Sequence, residues 1–414
     1  MSRSLHSAPK GTFDILPEQE AARNLVAEHG AQLLDSAAYG RIETPAFEET
    51  ELFARGVGES TDIVSKEMFS FDDRAGRPLT LRPEGTAAIC RAYVEHGMHK
   101  DPQPVKLWYA GPFFRAERPQ KGRYRQFNQI GAEAIGTDSP LADAELIVLL
   151  DELLRGLGIT DLELRLGSLG SPPARAAYRE ELRDYLVGHQ GELSEEVRGR
   201  LDSNPLRAFD SDHQGTRAVM AEAPTMIERL EGEDAEHFST VQRLLDSTEI
   251  PYRLDPSLVR GLDYYTRTVF EFTCPALGAQ SGVGGGGRYD GLVEILGGPP
   301  TPAVGWAAGV ERILLAMDES PPAPCAEVFV VSGHQEEAFE LVTGLRRHRI
   351  SAQLDLTGRA FNGQMKQANR SGARFAAILE HDGTVKLREM ESGEQREVDP
   401  AALAETVIAA RETE

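Results

Sequence analysis

The spacing of apolar and polar positions changes along the chain, and the changes divide it. Toward the C-terminus, "HQEEAFELVTGLRRH" places Ala338, Leu341, Val342 and Leu345 on one helical face. The runs "AEVFVVSG" and "RFAAILEH" on either side are short and apolar and predict strands. This alternation predicts a small α/β domain over 326–414. The proline-rich "DESPPAPC", Asp318 to Cys325, predicts a linker before it. Upstream, over 1–320, strand-like runs ("PVKLWYAGPFF", "YYTRTVFEFTC") are mixed with helical ones ("LADAELIVLLDELLRGLG"). The stretch from Pro172 to about residue 235 is mostly helical and polar and predicts an inserted subdomain. No solenoid-like repeat is visible.

Length and composition narrow the class. A chain of 414 residues predicts two or three domains. No run approaches a membrane-spanning length, and "MSRSLHSAPKG" lacks the apolar segment of a secretory signal. Cys90, Cys274 and Cys325 are far apart and form no C-x-x-C, so neither a zinc site nor a disulfide framework is expected. His96 and His99 have no third ligand in view, so no metal site is predicted. A cytoplasmic setting is the default. The formal charge of -22 speaks against a nucleic-acid partner only as a whole-molecule sum. Phe114–Phe127 holds Arg115, Arg118, Lys121, Arg123 and Arg125 against Glu117 alone, and Leu341–Glu380 holds seven cations against two carboxylates.

The candidate chemistry begins with "SGVGGGGRYDGL", Ser281 to Leu292. Gly282, Gly284 and Gly287 match G-x-G-x-x-G, but Arg288 and Tyr289 follow where a phosphate loop needs Lys and Ser or Thr. A dinucleotide fingerprint also needs an acid ~20 residues on, and Glu311 is the nearest carboxylate to that position. Two readings remain: a turn between strands, and a close approach of backbone to a small ligand. Upstream, "RGLDYYTRTVFEF" carries adjacent tyrosines, Tyr264 and Tyr265, which can line one cavity only at a strand start or bend. "GPFFRAERPQKGRYRQFNQIGAEAIG" reads as strand, charged loop, strand. Arg115 and Glu117 share an i, i+2 face there, as do Gln129, Gly131 and Glu133. Such a hairpin fits a nucleotide, with Arg115 on a phosphate and Phe127 on a base. In "AVGWAAGVERILLAM", glycine-rich text runs into a helix whose start carries Glu311 and Arg312, and Arg312 is suited to clamp phosphate.

Together and in this order, the motifs resemble histidyl-tRNA synthetases, which are class II aminoacyl-tRNA synthetases, in their bacterial form. "GRIETPAFEETELF" resembles motif 1, with Pro45 near the family's dimer interface; the Arg115–Glu133 stretch resembles motif 2, and "PAVGWAAGVERI" motif 3. "RGLDYYTRTVFEF" and "GVGGGGRYDGL" resemble the two histidine-specific signatures, and "LRPEGTAAI" and "KGTFDILPEQE" fit as well. The resemblance implies an α+β fold: a class II catalytic domain with an antiparallel sheet flanked by helices, a mostly helical insertion, and a C-terminal α/β anticodon-binding domain. It implies L-histidine, ATP with Mg²⁺ and tRNA(His) as partners, and a homodimer away from membranes. Glu84, Thr86, Gln129, Glu133, Tyr264, Tyr265 and Tyr289 are then expected around histidine. Arg115, Glu117, Phe127, Arg260 and Arg312 are expected around ATP, with Arg260 and Arg115 flanking the α-phosphate as the catalytic pair. Arg118, Lys121, Arg123 and Arg125 are expected at the tRNA acceptor end. Asn128, where His or Tyr is expected, and a slightly long glycine run depart from the pattern.

On this reading the glycine run is a strand-edge element beside the amino-acid pocket, apart from the nucleotide. Three other readings compete. The histidine-sensing regulatory paralogue of ATP phosphoribosyltransferase typically lacks the C-terminal domain and parts of the signatures. Synthetases for proline, threonine or glycine lack "RGLDYYTRTVFEF". A dinucleotide-dependent oxidoreductase fails on the glycine run itself.

Overall fold

A computed structural model describes residues 6–411, apart from 59, 60, 62, 203, 259–261, 279, 280, 318–320 and 322–324. Contacts divide the chain into two compact units, Met1–Pro321 and Pro322–Glu414. The strands of the first unit are β1 (Gly40–Arg41), β2 (Phe47–Glu49), β3 (Phe69–Asp72), β4 (Pro78–Leu81), β5 (Val105–Phe114), β6 (Gln126–Ile135), β7 (Glu163–Ser168), β8 (Tyr252–Leu254), β9 (Thr266–Thr273), β10 (Gly282–Arg288) and β11 (Ala303–Gly309). Its α-helices are α1 (Pro17–Ser36), α2 (Thr50–Val57), α3 (Thr86–Glu95), α4 (Pro140–Gly156), α5 (Pro172–Gly188), α6 (Glu195–Arg200), α7 (Gln214–Ala221), α8 (Gly232–Ser247), α9 (Leu292–Ile295) and α10 (Val310–Ala316).

Eight strands form one sheet in the order β1-β5-β6-β11-β10-β9-β7-β8. Its six inner strands pair antiparallel, and β1 and β8 add parallel edges. The antiparallel sheet of the sequence reading is therefore present. Because successive strand residues face opposite ways, the register sorts the two faces. One cross-strand row reads Trp108, Ala132, Trp306, Gly286, Phe270, Leu166, large beside small. This face packs on Val26 and Leu34 of α1, Leu146, Leu150 and Leu153 of α4, and Phe238, Val241 and Leu245 of α8. The adjacent row, on the other face, reads Leu107, Glu133, Gly305, Gly287, Val269. The next row on that face reads Tyr109, Gly131, Ala307, Gly285, Glu271, Arg165. Gln129, Gly131 and Glu133 share this face, as their spacing predicts.

Helices α5, α6 and α7 lie in the insertion between β7 and β8 and enclose a core of their own, including Tyr178, Leu182, Leu186, Val197 and Val219. The second unit is a five-stranded mixed sheet. Its strands are β12 (Val328–Ser332), β13 (Ala352–Leu354), β14 (Phe375–Leu379), β15 (Val385–Glu389) and β16 (Gln395–Val398), in the order β13-β12-β14-β15-β16. Helices α11 (Gln335–Arg347), α12 (Phe361–Arg370) and α13 (Leu403–Arg411) complete it. Val328, Val330 and Phe375 face Val342, Leu345 and Val407, while Phe329, Val331 and Ile378 share a second cluster with Ala368 of α12. The antiparallel β14–β15–β16 meander was absent from the sequence reading, since β15 and β16 are mostly polar.

The glycines on the open sheet face are steric requirements. A Cβ on Gly305 would run into the Glu133 carboxylate, and one on Gly131 into the Tyr109 ring. Gly291, by contrast, has open space around its Cβ position and no left-handed backbone. We expect Gly305→Ala to lower unfolding free energy by about 1–3 kcal/mol through overpacking and Gly291→Ala to stay within about 0.5 kcal/mol. Urea denaturation checks this; equal stability of the two variants would contradict the steric assignment.

Candidate active site

Glu133 is the centre of the buried half of the site. It is fully buried toward the C-terminal end of β6, with Gly305 beside it. Thr86 donates its hydroxyl to Oε1 at 2.8 Å, and Tyr289 donates to Oε2 at 2.5 Å. Burial pushes the carboxyl up to about 8, and the two hydroxyl donors pull it the other way without offsetting this. Glu84 accepts from the N–H groups of Thr86 at 2.7 Å and Ala87 at 3.0 Å, the first two residues of α3. Its carboxylate therefore sits on orphan donors at a helix N-terminus, though burial still raises its pKa.

Three tyrosines wall this pocket. Tyr264 and Tyr265 lie in the turn before β9, where both can face one cavity, and their ring centroids are 4.8 Å apart. Tyr264 meets Tyr289 edge-on at 5.7 Å. Arg175 of α5 donates to the Tyr265 carbonyl at 2.9 Å and the Asp263 carbonyl at 3.4 Å, so the insertion holds that turn. The Tyr109 hydroxyl and Gln129 Oε1 are buried on the same face with no hydrogen-bond partner among the described residues. Orphaned buried polar atoms cost about 1–3 kcal/mol each and call for a polar ligand. A buried carboxyl of raised pKa under aromatic walls favours one that carries positive charge, because such a neighbour stabilises the ionised form.

Beside this pocket lies a cavity of about 510 Å³ where five arginines meet four carboxylates. Arg115, Glu117, Phe127, Gln129 and Arg312 line it together. Arg115 donates Nε to the Pro83 carbonyl at 2.9 Å, and its guanidinium lies 5.3 Å from the Phe127 ring centroid. Arg312 donates Nε to the Gly282 carbonyl. Its pKa is lowered, first by burial and then by the like charge of Arg123. Two guanidiniums that repel one another at a half-buried wall form a site for an anion. Glu311 also lines the cavity, and it accepts from Arg23 at 2.9 Å and from the Asn128 backbone N–H at 2.9 Å and side-chain amide at 3.2 Å.

Several sequence expectations need correction. The glycine run is no strand edge, because β10 pairs with β9 on one side and β11 on the other. Nor is it apart from the arginine cavity. Gly282, Gly284 and Gly285 line that cavity, while a Cβ on Gly287 would press on Tyr265, so one strand serves both halves. Arg115 and Glu117 do not share a strand face, since β5 ends at Phe114; they reach the cavity from the following loop. Of the four loop cations, Arg118 and Lys121 are exposed. Arg123 lines the cavity, 3.5 Å from Glu117. Arg125 is tied to the N-terminal segment, its N–H donating to the Gly11 carbonyl at 2.8 Å. Arg260 lies outside the described residues. Tyr109, Arg175, Arg207 and Arg23 were missed. Only Tyr109 had a usable signal: it faces Gly131 directly across the hairpin.

Comparison with known proteins follows from this geometry. A family model described as histidyl-tRNA synthetase matches residues 11–313, and one described as an anticodon binding domain matches 325–410. The chain is 47% identical over 397 residues to a protein of Thermosynechococcus vestitus named histidine–tRNA ligase, covering 94% of this chain and 93% of the relative. It is 48% identical over 407 residues to the protein of that name from Rubrobacter xylanophilus, covering 94% and 96%. Among solved structures, the apo histidyl-tRNA synthetase of S. aureus is similar at a TM-score of 0.82 and 35% identity, covering 97% of this chain and 100% of that one.

The raised Glu133 pKa gives a pH prediction that needs no substrate. Between the ordinary carboxylate value of about 4.3 and about 8, the folded state holds a proton that the unfolded state has lost. Stability therefore falls as pH rises through that window. We expect the melting temperature to drop less between pH 5 and pH 9 in Glu133→Gln than in the native protein. Parallel curves would mean that Glu133 does not titrate there.

Proposed function

The chain belongs to the histidyl-tRNA synthetase family, and on that premise we propose that it activates L-histidine with ATP and transfers the histidine to the 3′ end of tRNA(His). The observation that carries the proposal is the juxtaposition on one sheet face of a carboxylate–tyrosine pocket and an arginine-lined cavity, with Gln129 on the face they share. A cation-favouring pocket fits the ammonium and imidazole of histidine, and an anion-favouring cavity fits a nucleotide. In this reading Glu84, Thr86, Gln129, Glu133, Tyr264, Tyr265 and Tyr289 hold histidine. Arg115, Glu117, Phe127, Arg260 and Arg312 hold ATP, which arrives with Mg²⁺ as part of the substrate. Among the described residues no group of three or more metal-ligating side chains is present.

The reaction requires no protein nucleophile. The histidine carboxylate attacks the ATP α-phosphorus, the bond to the bridging oxygen breaks, and pyrophosphate leaves with the electron pair. Positioning and neutralisation of growing negative charge supply the rate. Arg115 and Arg260 are assigned to the α-phosphate and Arg312 to the far phosphates, because a guanidinium stays charged when half buried. An orphaned polar atom such as the Tyr109 hydroxyl adds selectivity, since an analogue that leaves it unpaired is penalised. Arg118, Lys121, Arg123 and Arg125 are assigned to the tRNA acceptor end, with Arg125 acting through the N-terminal segment it binds. The second unit is assigned to the anticodon stem. Homodimerisation and a cytoplasmic setting complete the reading; among the described residues no helix is long and apolar enough to cross a membrane.

A histidine-sensing regulator is the second reading. A structure from Bacillus halodurans described as an ATP phosphoribosyltransferase regulatory subunit/histidyl-tRNA synthetase shares the fold at 24% identity and a TM-score of 0.67. Fold alone thus does not separate the two; the cavity arginines favour the enzyme. We expect histidine-dependent ATP–pyrophosphate exchange from purified protein, and no exchange with other amino acids. Histidine binding without exchange would favour the regulator. Removing Ala326–Glu414 should lower tRNA charging far more than exchange, as measured by the two assays side by side. Full charging by the shortened protein would sink the anticodon assignment.

A further inference from the structure

We infer that Arg207, carried by the helical insertion, binds the polyphosphate end of ATP, so that the insertion takes part in adenylation itself. This rests on the assignment of the arginine cavity to ATP. Arg207 lines that cavity together with Arg115, Arg123 and Arg312. It is the one described lining residue that comes from the insertion.

The local sequence explains how it is presented. Pro205–Asp210 forms a 3₁₀ turn. Leu206 and Ala208, the residues on either side of Arg207, are 4% and 2% exposed and belong to the insertion's own core. The backbone at Arg207 is thereby fixed by its neighbours, and the residue lines the cavity from that fixed position. The insertion is also fixed to the sheet at its root. Arg175 holds the carbonyls of Asp263 and Tyr265, and the Ser171 N–H donates at 2.9 Å to Asp234, which also accepts from Arg267 of β9 at 3.2 Å. The insertion therefore touches both halves of the site, through Arg175 at the tyrosine turn and through Arg207 at the cavity.

Charge decides what Arg207 meets. The amino-acid pocket offers carboxylates and tyrosines, and its ligand carries positive charge. The cavity gathers five guanidiniums against four carboxylates (Glu67, Glu117, Glu271 and Glu311) over a glycine strand, and the excess of positive charge favours a ligand that carries phosphate. As the bond between the α-phosphorus and the bridging oxygen breaks, negative charge grows on the departing pyrophosphate, and a guanidinium there stabilises it. The phosphates of a tRNA 3′ end share this chemistry, so the test separates the two sources.

The experiment is steady-state kinetics on the full chain. In ATP–pyrophosphate exchange, Arg207→Ala should raise KM for ATP and for pyrophosphate about tenfold or more, as for loss of a charged hydrogen bond. KM for histidine should stay within about twofold. Arg207→Lys should fall between native and Ala. Arg200→Ala, on an exposed residue of the same insertion paired with Glu196, should match native. An unchanged KM for ATP in Arg207→Ala overturns the proposal, whether or not KM for tRNA rises; a rise for tRNA alone would assign Arg207 to the RNA. If Arg207→Ala does not fold by circular dichroism, Arg207→Lys decides by the same criterion. Absence of exchange in the native protein would instead overturn the assignment of the cavity to ATP.

Discussion

The site depends on a steric constraint of the β-sheet. Every second strand residue faces the same way, so a cavity can open on a sheet face only where side chains are missing. Here the missing side chains are Gly131, Gly285, Gly287 and Gly305 of β6, β10 and β11, interleaved with Tyr109 of β5, Glu133 of β6 and Glu271 of β9. The opposite face inverts the economy of space: Trp108, Trp306 and Phe270 fill it against α1, α4 and α8. A rigid, densely packed back and a hollow front come from the same strands. The front residues therefore inherit positions fixed by the core behind them.

Holding the front groups in place takes buried charge. Arg288 is fully buried at the end of β10, where it donates to Asp143, Asp290 and the Thr137 carbonyl, and His237 meets the other oxygen of Asp143 at 3.2 Å. Ion pairs this deep add little net stability, because desolvation offsets their attraction, but breaking one leaves an uncompensated charge. Their effect here is positional. The network fixes the residue before Tyr289, whose hydroxyl completes the shell of Glu133. Glu311 does the same at the other end, tying Arg23 of α1 to Asn128 of β6. The departure at Asn128 noted in the sequence thus has a structural role: both its backbone and its side-chain amide donate to Glu311.

Legibility in the sequence followed the range of the interactions. Strands, helices and shared faces were readable because period-2 and 3.6-residue patterns are local. Glu133, Gln129 and the tyrosines were found because they lie in such patterns or in the motifs around them. The central position of β10 was not readable, because strand order is set by pairings between distant segments. A run of glycines carries no side-chain pattern to indicate its neighbours. The same limit hid Arg175, which holds carbonyls far away in sequence, and Arg207, which lines a cavity built by distant segments. It also hid the contact of Arg125 with the N-terminal segment.

The charge of -22 takes on a definite meaning once the cations are located. Of the five in the β5–β6 loop, Arg115 and Arg123 turn to the cavity, Arg125 is held by Lys10 and Gly11, and only Arg118 and Lys121 are exposed. In the second unit Arg359 pairs with Asp355, and Arg374 lies over the Phe375 ring and donates to the Ala410 carbonyl at 3.0 Å. Arg347, Arg349, Lys366 and Arg370 are exposed there. The long-range field of such a protein repels a polyanion, and only short-range patches attract it. Salt screens the distant repulsion more than the close contacts. Under the proposed function, RNA recognition therefore rests on close contacts at a few exposed cations in each unit, each of which releases counterions where it neutralises a phosphate.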